Sequence, residues 1–211
     1  MAQFFSIHPD NPQLRLIRQS VDIIRKGGVI VYPTDSCYAL GCHVGDKAAM
    51  ERIRAIRGVD ARHHFGLLCR DLAEAATYAR INDRQFRLIK AAIPGSYTFI
   101  LHATREVPRR LLHPRRKTIG VRIPGHRVVQ ALLAELGEPL LSSTLLLPGD
   151  AEPLNDAQEI RERLERRVDL ILDSGSCGVV PTTVVDLTAD VPVITRQGKG
   201  VSDLFGELVG A

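Results

Sequence analysis

Residues 28–41, Gly-Val-Ile-Val-Tyr-Pro-Thr-Asp-Ser-Cys-Tyr-Ala-Leu-Gly, constrain the fold more than any other segment of the sequence. Residues 29–32 form an apolar, β-branched run that predicts a strand. Pro33 ends this strand because proline has no N–H to donate to a neighbouring strand. The short polar side chains at 34–36 then follow a strand tip, which is where α/β sheets usually bind ligands. Because these residue types also favour ordinary turns, the pattern alone leaves both interpretations open.

Helical and extended patterns alternate along the rest of the chain. Residues that suit the N-cap position predict the starts of five helices: Asn11 (followed by Pro12), Asp46, Asp71, Asn82 and Asp156. A sixth helix is predicted at 128–136, before Gly137. Further strands are predicted at 67–69, 97–102, 118–123, 140–144, 168–172, 183–187 and 193–195. The alternation predicts an α/β or intermixed α+β fold, with one mixed sheet in a single domain over residues 1–211.

Composition excludes several classes of protein. The chain of 211 residues is 45% hydrophobic and 25% charged, which is ordinary for a soluble globular protein. It has no apolar run long enough to span a membrane and no secretory signal pattern at its start, so we expect a cytoplasmic protein. The four scattered cysteines match no zinc template, and no metal site is predicted. The net charge of +4 mildly favours anionic partners.

The sequence contains neither of the common glycine-rich phosphate-binding motifs. A nucleotide site would therefore have to use cationic side chains. Arg57 is one candidate, although an arginine in the last turn of a helix also complements the helix dipole. The loop after this helix contains Arg62, His63 and His64, and we interpret the paired histidines as solvated.

A dense run of positive charge occupies residues 105–117, with six cations and one carboxylate. The candidate RNA-binding residues in it are Arg109, Arg110, Arg115, Arg116 and Lys117. An anionic partner such as RNA or DNA would relieve the repulsion among these cations. The run has no interleaved aromatic residues that would indicate base stacking. A merely solvated surface remains an equal alternative.

Several short segments, taken together and in order, resemble the motifs of the YrdC/YciO family. Residues 32–41 resemble its P-T-[DE]-T-x-Y-G-L-G signature, and 119–124 resemble its V-x-V-R-x-P strand. Residues 181–186 resemble its S-T-V-V-D segment, 194–198 its I-x-R-x-G segment, and 94–98 its P-G-P-x-T turn. The first residues of the chain and the segment 25–36 are most similar to the YciO branch.

The resemblance implies a twisted, largely open sheet with flanking helices and a deep basic groove. It also implies binding of transfer RNA or other double-stranded RNA. Catalytic members use L-threonine, bicarbonate and ATP with Mg²⁺ to make threonylcarbamoyl-AMP, and they release pyrophosphate. That product is used to modify adenosine 37 of transfer RNA.

The resemblance also implies roles for individual residues. The residues expected to contact the threonine substrate are Thr34, Arg122, Thr144 and Thr182. The residues expected to contact the nucleotide are Arg57, Thr118 and Arg196, and Arg57 is also the candidate catalytic residue. Arg122 suits contact with threonine because an arginine can bind a carboxylate through two parallel hydrogen bonds.

Two departures from the family pattern weaken the expectation of full activity. The K-x-R pair of the synthases reads Arg57-Gly58-Val59 here, and their S-x-N motif aligns with Thr144 and Leu146. A hydrogen bond to a charged group is worth roughly 1.5–3 kcal/mol, so the absence of two would slow the reaction by roughly a hundredfold to several thousandfold. We therefore expect a threonylcarbamoyl-AMP synthase-like enzyme of weak or altered activity. The alternatives are a non-catalytic RNA-binding protein and a small-molecule sensor.

Overall fold

Ten strands form one mixed sheet in the part of the chain that the computed structural model describes, residues 1–60, 63–113 and 115–207. The strands are β1 (Gln3–Ser6), β2 (Ile30–Tyr32), β3 (Ala39–His43), β4 (Gly66–Leu68), β5 (Tyr97–His102), β6 (Thr118–Arg122), β7 (Leu140–Thr144), β8 (Leu170–Asp173), β9 (Thr183–Asp186) and β10 (Val193–Arg196). The helices are α1 (Leu14–Arg25), α2 (Lys47–Arg57), α3 (Leu72–Tyr78), α4 (Asp83–Ala92), α5 (Arg127–Leu136), α6 (Ala157–Leu164) and α7 (Asp203–Glu207), and a single 3₁₀ turn spans Arg109–Leu111.

The strand order across the sheet is β1-β8-β2-β3-β7-β4-β6-β5-β9-β10. The pairs β1/β8, β2/β8, β4/β6 and β5/β9 are parallel, and the remaining neighbours are antiparallel. The predicted mixed α/β fold, a large twisted sheet with flanking helices, is therefore confirmed. Among the described helices, none combines the length and apolar character needed to cross a bilayer.

An apolar cluster packs on each face of the sheet. One cluster contains Ile17 of α1 and Leu132 of α5, and these two helices pack together on the same face. The other cluster contains Ile53 of α2 and Ile160 of α6. Because alternate residues of a strand point to opposite faces, Val31 of β2 enters the second cluster while its neighbours in β2 enter the first.

Most of the predicted helix starts are confirmed, and one is wrong. The side chains of Asp46, Asp71, Asn82 and Asp156 each accept a hydrogen bond from the backbone N–H three residues later. Helix α1, however, begins at Leu14 with Gln13 at the N-cap, and not at Asn11 and Pro12. The reason is a local turn, in which His8 Nδ1 accepts from the backbone N–H of Asn11 and Gln13 Oε1 accepts from the backbone N–H of His8.

Two strands were not predicted. Strand β1 lies at one edge of the sheet and has only four residues, so its pattern is weak. Strand β3 follows the polar triplet 34–36 and pairs antiparallel with both β2 and β7. The segment 28–41 therefore holds a strand, a polar connection and the start of a second strand, which places the triplet at the end of the β2–β3 pair.

We predict that position 58 requires glycine because its backbone is left-handed and because a side chain would clash with Pro148. A comparison of Gly58→Ala with Gly137→Ala separates these two effects. Gly58 ends α2 with φ 62°, and an added Cβ would lie 2.6 Å from Pro148 Cγ. Gly137 ends α5 with φ 75°, but its Cβ would meet no atom within 4 Å. Gly137→Ala should lower the unfolding free energy by about 1–2 kcal/mol, the cost of the left-handed backbone. Gly58→Ala should cost about 1–3 kcal/mol more because of the clash. Urea denaturation measures both, and equal losses would contradict the role of Pro148.

Candidate functional site

A cavity of about 600 Å³ opens on one face of the sheet. Seven strands that are neighbours in the sheet each contribute at least one lining residue, in the order β3, β7, β4, β6, β5, β9 and β10. On β6 the lining includes Thr118, Gly120 and Arg122, while Val121 points into the apolar core on the opposite face. The volume is within the range of small-molecule sites, roughly 300–1,000 Å³.

The polar triplet after β2 binds the guanidinium of Arg122 at the end of β6. Arg122 Nη2 donates to Thr34 Oγ1 at 3.1 Å and to Ser36 Oγ at 3.0 Å, and it forms an ion pair with Asp35 Oδ1. Thr34 is only 1% exposed, and its hydroxyl also donates to the Cys37 carbonyl at 2.6 Å. The structure therefore places Thr34 beneath the cavity, against Arg122, and it is not among the residues that line the cavity.

Asp35 connects four separate segments of the chain. Its second carboxylate oxygen accepts the backbone N–H of Gly125 at 2.7 Å. Its backbone carbonyl accepts from Ser96 Oγ at 3.0 Å and from Lys199 Nζ at 2.7 Å. The sequence left the role of this residue open between a site and an ordinary turn. The contacts show that it joins the β2–β3 connection to the segments around β5, β6 and β10.

Arg57, His63 and Ser143 meet on another side of the cavity. Arg57 Nη1 lies 2.7 Å from Ser143 Oγ and 2.9 Å from His63 Nε2, and the latter is 3.1 Å from Ser143 Oγ. Burial, followed by the charge of Arg57, lowers the pKa of His63 to about 4. His63 is therefore neutral at pH 7, and its Nε2 can accept a hydrogen bond from Arg57. The interpretation of this histidine as solvated was wrong, because contacts from β7, about 80 residues away, decide its environment.

Thr98, Thr182 and Arg196 form a third polar group. The hydroxyls of Thr98 and Thr182 are 2.8 Å apart, and Arg196 donates to the Thr182 carbonyl from Nε at 3.1 Å and from Nη2 at 2.9 Å. Burial lowers the pKa of Arg196, and the nearby charge of Arg122 acts in the same direction. Thr144 lines the cavity beside Cys37. The cavity thus brings together the predicted residues Arg57, Thr118, Arg122, Thr144, Thr182 and Arg196.

The two departures from the family pattern differ in position. Leu146 lines the cavity, and its backbone carbonyl accepts from Arg57 Nε at 3.3 Å. Val59 donates its backbone N–H to the Arg54 carbonyl and is not among the lining residues. The apolar Leu146 side chain therefore changes the chemistry of the cavity wall directly. Arg62 lies outside the described residues.

The predicted RNA-binding residues lie at the rim and outside it. Arg109, Arg110, Arg115, Arg116 and Lys117 are all exposed. The side chain of Arg110 donates to the Val44 and Gly45 carbonyls, whereas Arg116 lines the cavity. The rings of His64 and His113 stack with centroids 4.9 Å apart, which joins the loop after α2 to this basic segment. In the described parts of the chain, no group of three or more metal-binding side chains is found.

A family model, Sua5_yciO_yrdC, described as telomere recombination, matches residues 22–198. The chain belongs to the Sua5/YciO/YrdC family. This family member is 59% identical over 200 residues to YciO of Escherichia coli strain K12. The aligned region covers 95% of this chain and 97% of that protein. It is 31% identical over 166 residues to a threonylcarbamoyl-AMP synthase of Idiomarina loihiensis, covering 76% of this chain and 88% of that protein.

Two solved structures show the same fold. The crystal structure of E. coli YciO superposes with a TM-score of 0.94 at 58% identity, covering 97% of this chain and 100% of that one. The crystal structure of P. abyssi Sua5 complexed with L-threonine superposes with a TM-score of 0.89 at 25% identity. In that comparison 98% of this chain matches 61% of the Sua5 chain. The family resemblance seen in the sequence motifs is therefore confirmed.

We predict that Asp35→Asn destabilises this family member strongly. The Arg122 and Asp35 side chains are only 9% and 17% exposed, so the variant would leave a buried guanidinium without its carboxylate. Breaking a buried ion pair from one side typically costs about 3–5 kcal/mol. Glu159→Gln removes a carboxylate from an exposed pair with Arg163 and should cost less than about 1 kcal/mol. Chemical denaturation compares the two variants, and similar small losses would contradict the structural role of Asp35.

Proposed function

We propose that this protein is a threonylcarbamoyl-AMP synthase-like nucleotidyltransferase with weak or altered activity, which uses L-threonine, bicarbonate and ATP with Mg²⁺. The observation that carries the proposal is the meeting of four guanidinium groups at one cavity, those of Arg57, Arg116, Arg122 and Arg196. Glu152 is the one carboxylate among the lining residues that the structure describes. Such a cavity favours a ligand with several negative charges. The names of the synthase and Sua5 relatives support the choice of reaction.

The reaction explains why so many cations are needed. A carbamate must attack the α-phosphate of ATP, so two anions have to approach each other, and pyrophosphate must then leave. Cations that are already held in place reduce this repulsion without having to reorganise during the reaction. In our assignment, Arg57, Thr118 and Arg196 bind the nucleotide, and Mg²⁺ arrives with it. Arg57 is also the catalytic candidate, because its guanidinium is held by Ser143 and the neutral His63.

Arg122 is assigned to the carboxylate of threonine, with the hydroxyls of Thr144 and Thr182 nearby in the cavity. The Nε of Arg122 is buried and has no hydrogen-bond partner among the described residues. An unpaired donor on a charged group is costly, and a carboxylate that enters the cavity could satisfy it after a small rotation of the side chain. Thr34 contributes indirectly in this assignment, since its hydroxyl accepts from Arg122 beneath the cavity. In our assignment, activity is weakened or altered because the side chain of Leu146 offers no polar group to the ligand.

We predict that ATP–Mg²⁺ binds more tightly when threonine and bicarbonate are present, and that the three substrates together yield an adenylate and pyrophosphate. Calorimetry measures the binding, and chromatography of the products measures the reaction. Arg57→Gln should lower the rate by roughly tenfold to a hundredfold, because it removes a charged hydrogen-bond donor from the cavity. Arg52→Gln is the matched control, since Arg52 lies on the same helix but pairs with Asp169 away from the cavity. ATP binding that is indifferent to threonine, with no adenylate above a no-enzyme control, would refute the proposal.

A second candidate function is the binding of transfer RNA or double-stranded RNA by the basic segment, without chemistry. The observation that favours it is the exposure of Arg109, Arg115 and Lys117, which have no carboxylate partner among the described residues. Exposed cations of this kind can neutralise the phosphates of a nucleic-acid backbone.

We predict that the basic segment binds RNA and that this binding falls steeply with salt. A triple variant of Arg109, Arg115 and Lys117 to glutamine should reduce the slope of log affinity against log salt by about three, roughly one for each cation that no longer neutralises a phosphate. The same change at Arg15, Arg87 and Lys90, which are exposed on α1 and α4, removes equal charge elsewhere and serves as the control. Filter binding of transfer RNA at several salt concentrations gives the slopes. Equal effects of the two triple variants would rule out a specific role for the basic segment.

A further inference from the structure

Arg116 differs in position from the other cations of the basic segment. It lines the cavity together with Arg57, Arg122 and Arg196, whereas Arg110 donates to backbone carbonyls at residues 44 and 45. The segment therefore supplies one guanidinium to the cavity and presents its other described cations elsewhere. The residue that sequence patterns group with an RNA-binding surface belongs, by its location, to the small-molecule site.

The backbone that carries Arg116 is held in a tight turn. His113 Nδ1 accepts the backbone N–H groups of Arg115 and Arg116 at 3.2 and 3.1 Å, and the His113 carbonyl accepts from the backbone N–H of Lys117 at 3.0 Å. Lys117 has φ 55°, which is uncommon for a residue with a side chain. The His113 ring also stacks on His64 at the cavity wall. These contacts fix where the Arg116 side chain starts.

The tip of Arg116, in contrast, is held weakly. Its side chain is 66% exposed, and Nη1 lies 3.5 Å from Asp186 Oδ2. That distance is well beyond the roughly 2.7–2.9 Å of a strong charge-assisted hydrogen bond. The other oxygen of Asp186 accepts from the backbone N–H and the hydroxyl of Thr188 at 2.9 and 2.6 Å, so the carboxylate itself is fixed. An exposed ion pair of this kind contributes little and is readily exchanged for a better partner.

The other three guanidinium groups have fixed partners. Arg57 donates to Ser143 and Leu146, Arg122 to the triplet 34–36, and Arg196 to Thr182. The cavity thus combines three anchored cations with one that can move at little cost.

We propose that Arg116 leaves Asp186 and binds the phosphate chain of a polyphosphate ligand in the cavity, with Asp186 serving as its partner in the empty state. The inference rests on the proposed function in so far as the natural ligand would be the triphosphate of ATP. It extends that function by assigning Arg116, and not the other cations of its segment, to the nucleotide. Arg116 is the cation of the site that changes partner when the ligand binds. Asp186 is a positioning residue, because it competes with the ligand for the Arg116 guanidinium.

The test compares two neighbouring arginines in the whole chain of 211 residues. The probes are tripolyphosphate–Mg²⁺ and ATP–Mg²⁺, titrated by calorimetry at constant ionic strength. Arg116→Gln should weaken the binding of both probes by roughly tenfold to a hundredfold, the value of a hydrogen bond between charged groups. Arg115→Gln, which removes the same charge from the adjacent exposed position, should weaken binding by less than about threefold.

A third variant gives a result that a purely structural role of Arg116 would not produce. Asp186→Asn removes the competing charge, so it should tighten polyphosphate binding a few-fold. This gain should vanish in the double variant Arg116→Gln/Asp186→Asn. Unfolding midpoints of all variants, measured alongside, confirm that each is folded.

The outcomes separate this inference from the proposed function. If Arg116→Gln and Arg115→Gln weaken probe binding equally, or if Asp186→Asn binds the probes more weakly than the wild type, the inference is overturned. The proposed function would survive either result as long as threonine still strengthens ATP binding. Tripolyphosphate binding that depends on Arg116, in a protein that makes no adenylate, would support the inference and refute the proposed function. A wild-type protein that binds neither probe would overturn both.

Discussion

The buried guanidinium of Arg122 is the group on which the site depends. A charged side chain that is only 9% exposed must be compensated within the protein, and residues 34–36 supply a carboxylate and two hydroxyl oxygens. This interaction joins the end of β2 to the end of β6, two strands that are separated in the sheet by β3, β7 and β4. Asp35 extends the constraint to Gly125 through its carboxylate and to Lys199 through its backbone carbonyl. A ligand carboxylate would therefore meet an arginine that needs only a small rotation to bind it, which limits the entropic cost of binding.

The arginines that line the cavity repel one another. Burial lowers the pKa values of Arg57 and Arg196, and the charges of neighbouring arginines lower them further. These groups are nevertheless kept close together by hydrogen bonds to Ser143, His63 and Thr182. A polyanionic ligand would relieve the repulsion, and the fixed groups would not need to move to bind it. The exposed and weakly paired guanidinium of Arg116 adds a contact that can adjust to the ligand.

The local elements of this protein follow from the sequence itself. The N-caps at Asp46, Asp71, Asn82 and Asp156 satisfy backbone donors only three residues away, so short patterns are enough to predict them. The N-cap of α1 was predicted wrongly, because a turn around His8 overrides the Asn-Pro signal. The family motifs likewise identify residues that the fold brings to one cavity, namely Arg57, Arg122, Thr144, Thr182 and Arg196.

Other features were decided only by the tertiary structure. His63 is part of the site because Ser143, 80 residues later, lies 3.1 Å away, and no local pattern encodes that distance. Strand β3 forms because β2 and β7 both offer partners to it, although its own sequence predicts little. The sheet places Asp186 of β9 near Arg116. This arginine therefore has a carboxylate partner that its neighbours Arg115 and Lys117 lack among the described residues. The sequence determined which residue types and local elements are available, whereas long-range pairing and burial determined which of them meet, because contacts between distant segments have no signature in local spacing.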